Sequence, residues 1–191
     1  MTWVEPMAKA GCSLFTFHIE SDMPEGGPME LIETIKNAGM KVGVSLKPGT
    51  PADAIYEYAD KGLFDLILVM TVEPGFSGQS FKPEMMPKVE TLRKKYPRVN
   101  IQVDGGLSPK TVDQASKAGK YFLEMYKYDL GESTSFTTSP LYFLINSNCH
   151  ILIYKGANVI VAASAIFGSD DKGGVIKSLR ESVESQGVSK Q

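Results

Sequence analysis

Ile101-Gln102-Val103-Asp104-Gly105-Gly106 is the stretch from which the rest of the chain is best read. Ile101 and Val103 read as the inward apolar residues of a short strand. Asp104 closes it, and the two glycines let the chain turn tightly and bring backbone N–H groups close to a ligand. Ser108 and Pro109 then read as the N-cap and first position of a helix. A carboxylate at the carboxyl end of a buried strand, followed by a glycine turn into a helix N-terminus, suits chemistry on an anionic small molecule. The same residues also suit an ordinary strand-to-helix turn in which the Asp only caps, and short motifs of this kind often match by chance.

Outward from that stretch the pattern repeats. Asp65 to Met70 is apolar almost throughout, as a parallel strand buried on both faces reads. Leu14 to Ile19 and Lys41 to Leu46 are further β-prone runs, and Asn158 to Ala162 is the last. Between them lie helical patterns. One covers residues 4–11. A second opens at Pro28 with Leu31, Ile32, Ile35 and Ala38 on one face. A third carries Ala54, Ile55 and Tyr58. A fourth opens at Pro83 with Met86, Val89 and Leu92 inward, a fifth runs from Ser108 to Ala118, and the last starts near Asp170 with Val175, Ile176 and Leu179 inward. Strands alternating with helices across short connections predict a parallel sheet with helices outside, in about five βα units.

Residues 120–155 break the rhythm. They hold 8 of the chain's 18 aromatic residues and two dense apolar runs, Leu141 to Ile145 and Ile151 to Tyr154. Joining Gly119 directly to Gly156 leaves a normal helix-to-strand connection, whereas a long connection inside a compact domain is rare. The segment therefore reads as an insertion into a single domain spanning 1–191, and its own conformation stays open between a hairpin, a flap and disorder.

Composition narrows the partners. The 191 residues carry 20 basic and 22 acidic side chains, a net charge of −2, which gives no footprint for nucleic acid or an anionic membrane. Cys12 and Cys149 fit no metal spacing and read as free thiols of a reducing compartment. Neither a secretory signal nor an apolar run of the roughly 20 residues that span a bilayer is visible. A soluble, cytoplasmic protein is expected.

Four segments taken together resemble ribulose-phosphate 3-epimerases. They are Phe15 to Glu20 (Phe-Thr-Phe-His-Ile-Glu), Met40 to Gly43 with Lys47-Pro48-Gly49-Thr50, the run Val69 to Gln79 (Val-Met-Thr-Val-Glu-Pro-Gly-Phe-Ser-Gly-Gln), and Val103-Asp104-Gly105-Gly106. The Met-Thr-Val-Glu-Pro-Gly-Phe run is the most specific of them. The resemblance covers about 3–119 and 156–186. It implies a (β/α)8 TIM barrel of the ribulose-phosphate-binding type and the pentose phosphate pathway interconversion of D-ribulose 5-phosphate and D-xylulose 5-phosphate. One proton moves at carbon 3, assisted by a divalent metal, zinc or else iron, manganese or cobalt. In the family two histidines and two aspartates hold the metal, and the aspartates act as acid and base on opposite faces of the substrate, which inverts the stereocentre.

Carried over residue by residue, the resemblance makes Asp104 a metal ligand and an acid/base. It makes Gly75, Phe76, Ser77 and Gly78 the loop over the substrate, with Ser77 where the family often has Gly. Gly105 and Gly106 match part of a phosphate cradle, which agrees with the usual barrel phosphate site after the seventh and eighth strands. Ala163-Ser164 stands where the family has Gly-Ser or Gly-Asn, so the Ala163 methyl is expected to crowd a backbone approach to phosphate. Met70 matches a methionine near the reacting centre and reads equally as core.

The departures carry expectations of their own. The strands that supply the family's other aspartate, its two histidine ligands and a substrate-contacting serine have no counterpart here, so the chain reads as N-terminally truncated. His18 reads as structural and His150 has no ligand spacing around it. Five strands cannot close an eight-stranded barrel, because strand number, tilt and stagger are linked. A partial barrel is therefore expected, completed by a partner chain such as a second copy, or patched by the insertion. A shortened or alternative translation product retaining an in-frame intron would account for both anomalies. The functional expectations are an epimerase-family enzyme with residual activity at best, or a silent remnant that binds sugar phosphate weakly or associates with intact epimerase. Another barrel enzyme acting on a phosphorylated metabolite is a third reading, against which the Met-Thr-Val-Glu-Pro-Gly-Phe run argues.

Overall fold

The most apolar run in the chain, Leu66–Met70, forms the central strand β3, and every one of its five residues is buried. In the computed structural model, which describes residues 2–75, 78–118 and 156–185, β3 has two parallel neighbours on each side. The strands are β1 (Leu14–His18), β2 (Lys41–Leu46), β3, β4 (Asn100–Asp104) and β5 (Val159–Val161), and their spatial order is their sequence order. Helices fill the crossovers: α1 (Val4–Lys9), α2 (Gly27–Asn37), α3 (Tyr56–Ala59) after a 3-10 turn, α4 (Met86–Lys95), α5 (Val112–Lys117), α6 (Ser164–Phe167) and α7 (Lys172–Ser185). An all-parallel sheet wound in strict sequence order, with helices between strands, is the winding of a (β/α) barrel. The predicted fold class and all five predicted strands are present.

The period of two along each strand sends side chains to opposite faces. The helix-side face carries Phe17, Val42, Val44, Leu46, Ile67, Val69, Ile101, Val103 and Ile160, packed with Ile32, Ile35, Val89, Leu92 and Leu179 in one core. The inner face is mixed. Register aligns His18, Ser45, Leu68, Gln102 and Val159 in one row, and Met70, Asp104 and Val161 in another. Leu66, Leu68, Met70 and Val72 form a small separate apolar cluster with Leu14.

One helix start departs from the sequence reading. The predicted helix from Ser108 starts only at Val112. Thr111 ties down the turn that precedes it: its Oγ1 accepts the Ser108 N–H at 3.0 Å and donates to the Gly106 carbonyl at 3.1 Å. The Ser108 carbonyl accepts the Thr111 and Val112 N–H groups at 3.0 and 2.9 Å, and the Ser108 Oγ accepts the Lys110 N–H at 3.3 Å, so residues 108–111 form a capping turn ahead of the helix. The first helix ends at Lys9 with Ala10 as its C-cap, and Gly11 takes a left-handed φ of +88°, as its reading as the residue just past a helix end requires.

The predicted insertion at 120–155 lies outside the described residues, but its flanks do not. A Cβ added to Gly156 would stand 2.5 Å from the Ala118 carbonyl oxygen. The end of α5 and the approach to β5 therefore abut, although residues 119–155 separate them in sequence. Among the described residues no helix is long and apolar enough to cross a membrane.

Candidate functional site

The carboxyl ends of β3, β4 and β5 border a cavity of about 240 Å³, and most of the residues singled out in the sequence line it. Met70 and Asp104 enter it side by side because the β3–β4 register pairs them, and Val161 and Ala162 flank Asp104 from β5. Gly75 and Gly78 of the loop after β3, Gly105 and Gly106, and Ala163 and Ser164 complete the predicted lining. Phe76 and Ser77 lie outside the described residues. The sequence reading missed Val72, Glu73, Gln79 and Leu107, which also line the cavity. Their signal was their position: Val72, Glu73 and Gln79 stand inside the run Val69 to Gln79, and Leu107 directly follows Gly106.

Asp104 is half-buried, and burial pushes its carboxyl above the ordinary aspartate range. Such a carboxyl exchanges its proton closer to neutral pH than a solvated one, which suits acid/base work. Glu73 points elsewhere in charge terms: Lys82 Nζ donates to its Oε1 at 2.6 Å, and the Gln79 amide donates to its backbone oxygen at 2.7 Å. The loop after β3 is thereby tied back on itself. Gly75 and Gly78 have φ of +145° and +84°, conformations that glycine adopts without strain.

Gly105 and Gly106 show why that pair is glycine. Their φ values are +121° and +67°. A Cβ on Gly105 would stand 2.7 Å from Val72 Cγ1, and one on Gly106 would meet the Phe81 backbone, with Phe81 Cα at 2.5 Å. The turn has no room for side chains because the two ends of the β3 loop rest on it. Ser164 opens α6 with Ala163 before it, so both reach the cavity through a helix N-terminus of a single turn.

His18 stands apart from the cavity. Its Nδ1 lies 3.3 Å from Glu20 Oε2, and Glu20 Oε1 accepts the Lys47 N–H at 2.9 Å. Burial works to raise the Glu20 carboxyl, but hydrogen bonds from Thr50, Lys47 and His18 outweigh it and hold the group below its usual range. The cluster ties the end of β1 to the end of β2, as the structural reading of His18 anticipated.

Known proteins supply the family. The family model described as "Ribulose-phosphate 3 epimerase family" matches residues 1–126, about two thirds of the chain. The chain belongs to the ribulose-phosphate 3-epimerase family. It is 45% identical over 183 residues to the ribulose-phosphate 3-epimerase, cytoplasmic isoform, of Oryza sativa, covering 95% of this chain and 63% of that one. It is 41% identical to the ribulose-phosphate 3-epimerase of Schizosaccharomyces pombe, with 95% and 61% covered, and 40% identical to that of Candida glabrata, with 96% and 58% covered. The chain thus spans about three fifths of the length of these relatives. Among solved structures, the 3-hexulose-6-phosphate synthase of Salmonella typhimurium matches with a TM-score of 0.58 at 16% identity, over 97% of this chain and 68% of that one, which speaks to the fold.

Among the described residues no group of three or more His, Cys, Asp or Glu side chains is placed to hold an ion. Asp104 is a lone carboxylate beside Gly105 and Gly106, and Glu73 is engaged with Lys82. A stable site for zinc or its congeners needs about four ligands, so the described residues do not fit the divalent metal implied by the family.

Proposed function

We propose that this chain binds a pentulose phosphate in the cavity at the ends of β3, β4 and β5, and that Asp104 supplies one of the two proton-transferring groups of ribulose-phosphate 3-epimerisation. The reaction interconverts D-ribulose 5-phosphate and D-xylulose 5-phosphate by removing a proton at carbon 3 and returning one to the opposite face. The observation that carries the reading is the half-buried Asp104, its carboxyl raised by burial, in one cavity with the Gly105–Gly106 turn and Ser164. In this reading Gly105, Gly106, Ala163 and Ser164 face the phosphate, and Gly75, Phe76, Ser77 and Gly78 cover the sugar. Asp104 takes or gives the proton on one face.

The single carboxylate favours a second reading: the chain on its own holds sugar phosphate without turning it over, or joins an intact epimerase as a silent partner. Inversion needs an acid/base group on each face, and the other carboxylate that lines the cavity, Glu73, is paired with Lys82. Two further expectations belong here. The cytoplasmic setting rests on the isoform name of the rice relative, and residues 120–155 are read as an insertion because Ala118 and Gly156 abut.

A coupled assay with ribulose 5-phosphate, with and without zinc or manganese, tests the choice when run beside a binding titration of the same full-length chain. Turnover abolished by Asp104→Asn supports the enzymatic reading. Saturable binding without turnover supports the silent one. Neither binding nor turnover overturns both.

A further inference from the structure

Thr71 is the first residue of the loop after β3, and its side chain is fully buried. Three hydrogen bonds converge on it. Its N–H donates to the Asp104 carbonyl at 2.8 Å, which extends the β3–β4 ladder by one rung. Its Oγ1 donates to the Gly105 carbonyl at 2.7 Å. Its own carbonyl accepts the N–H of Lys82, the residue at which the loop returns, at 2.9 Å. The loop's start, the loop's end and the Asp104 turn are thus pinned at one residue. The packing repeats the arrangement: Val72 fills the space of a Gly105 side chain and Phe81 fills that of Gly106.

We propose that Thr71 is a positioning residue of the cavity, its hydroxyl joining the two ends of the loop, at Val72 and at Phe81, and the Asp104–Gly105–Gly106 turn into one unit. The glycine pair is then a seat for the loop's two ends as well as an approach for a ligand. A buried hydroxyl bonded to a carbonyl cannot be replaced by a methyl without leaving that carbonyl unsatisfied. Valine has the shape of threonine and lacks the donor, whereas serine keeps the donor and loses a methyl. The two substitutions therefore separate the hydrogen bond from the packing. What the unit does for a ligand rests on the reading of the cavity as a sugar-phosphate site; the coupling itself does not.

The test is amide hydrogen exchange on the full-length chain, with the Asp104 carboxyl titrated by carbon NMR. Thr71→Val is expected to speed exchange of the Lys82 and Thr71 amides at least tenfold and to move the Asp104 titration midpoint, with Val42 and Val44 in β2 unchanged. Thr71→Ser is expected to restore both readouts. Unchanged Lys82 exchange in Thr71→Val, or a Thr71→Ser chain that behaves like it, overturns the proposal. If Thr71→Val does not fold, Gly106→Ala addresses the same joint from the turn, and it must speed Lys82 exchange or the proposal fails. Adding ribulose 5-phosphate to the wild-type chain and following the Gly105 and Gly106 amides tests the other reading separately. No response there counts against sugar-phosphate binding, while the exchange result still decides the coupling.

Discussion

Arg93 Nη2 lies 2.9 Å from Asn158 Oδ1, and this contact fastens α4 to the chain entering β5. The guanidinium is almost wholly buried, and its other donors reach the carbonyls of Gly156, Pro97 and Val99 at 3.1, 3.0 and 2.8 Å. Asn158 Oδ1 also accepts the Ile101 N–H at 2.7 Å. The planar fork of arginine spreads its donors over acceptors on separate segments, which the single ammonium of lysine cannot span. Arg93→Met is therefore expected to leave several buried carbonyls unpaired, at about 3 kcal/mol, and Arg93→Lys to recover only part of that. Urea unfolding measures it: a shift below about 1 kcal/mol would show that water or relaxation replaces these bonds.

The abutting of Ala118 and Gly156 leads to a deletion experiment. A chain lacking residues 120–155 joins Gly119 to Gly156 with no gap to bridge. Closing a shorter connection loses less chain entropy, about 0.6 kcal/mol for each halving of loop length. The shortened chain is expected to fold with a melting temperature no lower than that of the full one and to bind ribulose 5-phosphate as the full one does. A molten or insoluble product would show instead that 120–155 contributes to the core.

Gly156 itself gives a sharper check on the same contact. Its missing side chain leaves room for the Ala115 and Ala118 carbonyls, and the Ala118 nitrogen would stand 3.0 Å from an added Cβ. Backbone cannot give way as a flexible side chain can. Gly156→Ala is expected to cost roughly 1–3 kcal/mol, as overpacking does, and to do so in the shortened chain as well. Equal stability of Gly156→Ala and wild type would mean that the two ends stand further apart.

The sequence made the strands legible because their signal is local. β3 is apolar at every position, and β4 alternates up to Asp104, so length and pattern alone set both. The start of α5 was less legible, because Thr111 closes a hydrogen-bonded turn between Ser108 and the first helical residue, Val112. The cavity's motif residues were found since each stands at a strand's carboxyl end, where barrel chemistry collects. Thr71 and Arg93 were missed for a different reason: each has partners 34 or more residues away, Gly105 for Thr71, Gly156 and Asn158 for Arg93, beside nearer ones. Spacing within one element gives only a faint trace. Val89, Leu92 and Arg93 share a helix face, and a lone arginine there implies buried acceptors.

Ser45 offers the opposite kind of substitution, one that should help. Its Oγ is buried on the inner face without a hydrogen-bond partner, between His18 and Leu68 in register. A buried hydroxyl with no partner costs about 1–3 kcal/mol of desolvation. Ser45→Ala removes the hydroxyl and leaves a methyl, so stability is expected to stay level or rise by up to about 1 kcal/mol. A clear fall in the urea midpoint would mean that the hydroxyl finds a partner in solution.

Asp104 ties stability to pH in a direction that can be worked out. Burial raises its carboxyl in the folded chain, whereas the unfolded chain keeps the ordinary value near 3.9. Between those two values the folded state holds the proton and the unfolded state has released it. The folded state then binds more protons, so stability falls as pH rises through that window and stays reduced above it. Asp104→Asn cannot ionise and escapes the loss. Its melting temperature is expected to exceed that of the wild type at pH 7, with the gap narrowing as pH drops toward 4. A gap that widens on acidification would mean that the ionised carboxylate is favoured in the fold, by an ion or a donor, and that burial does not govern this site.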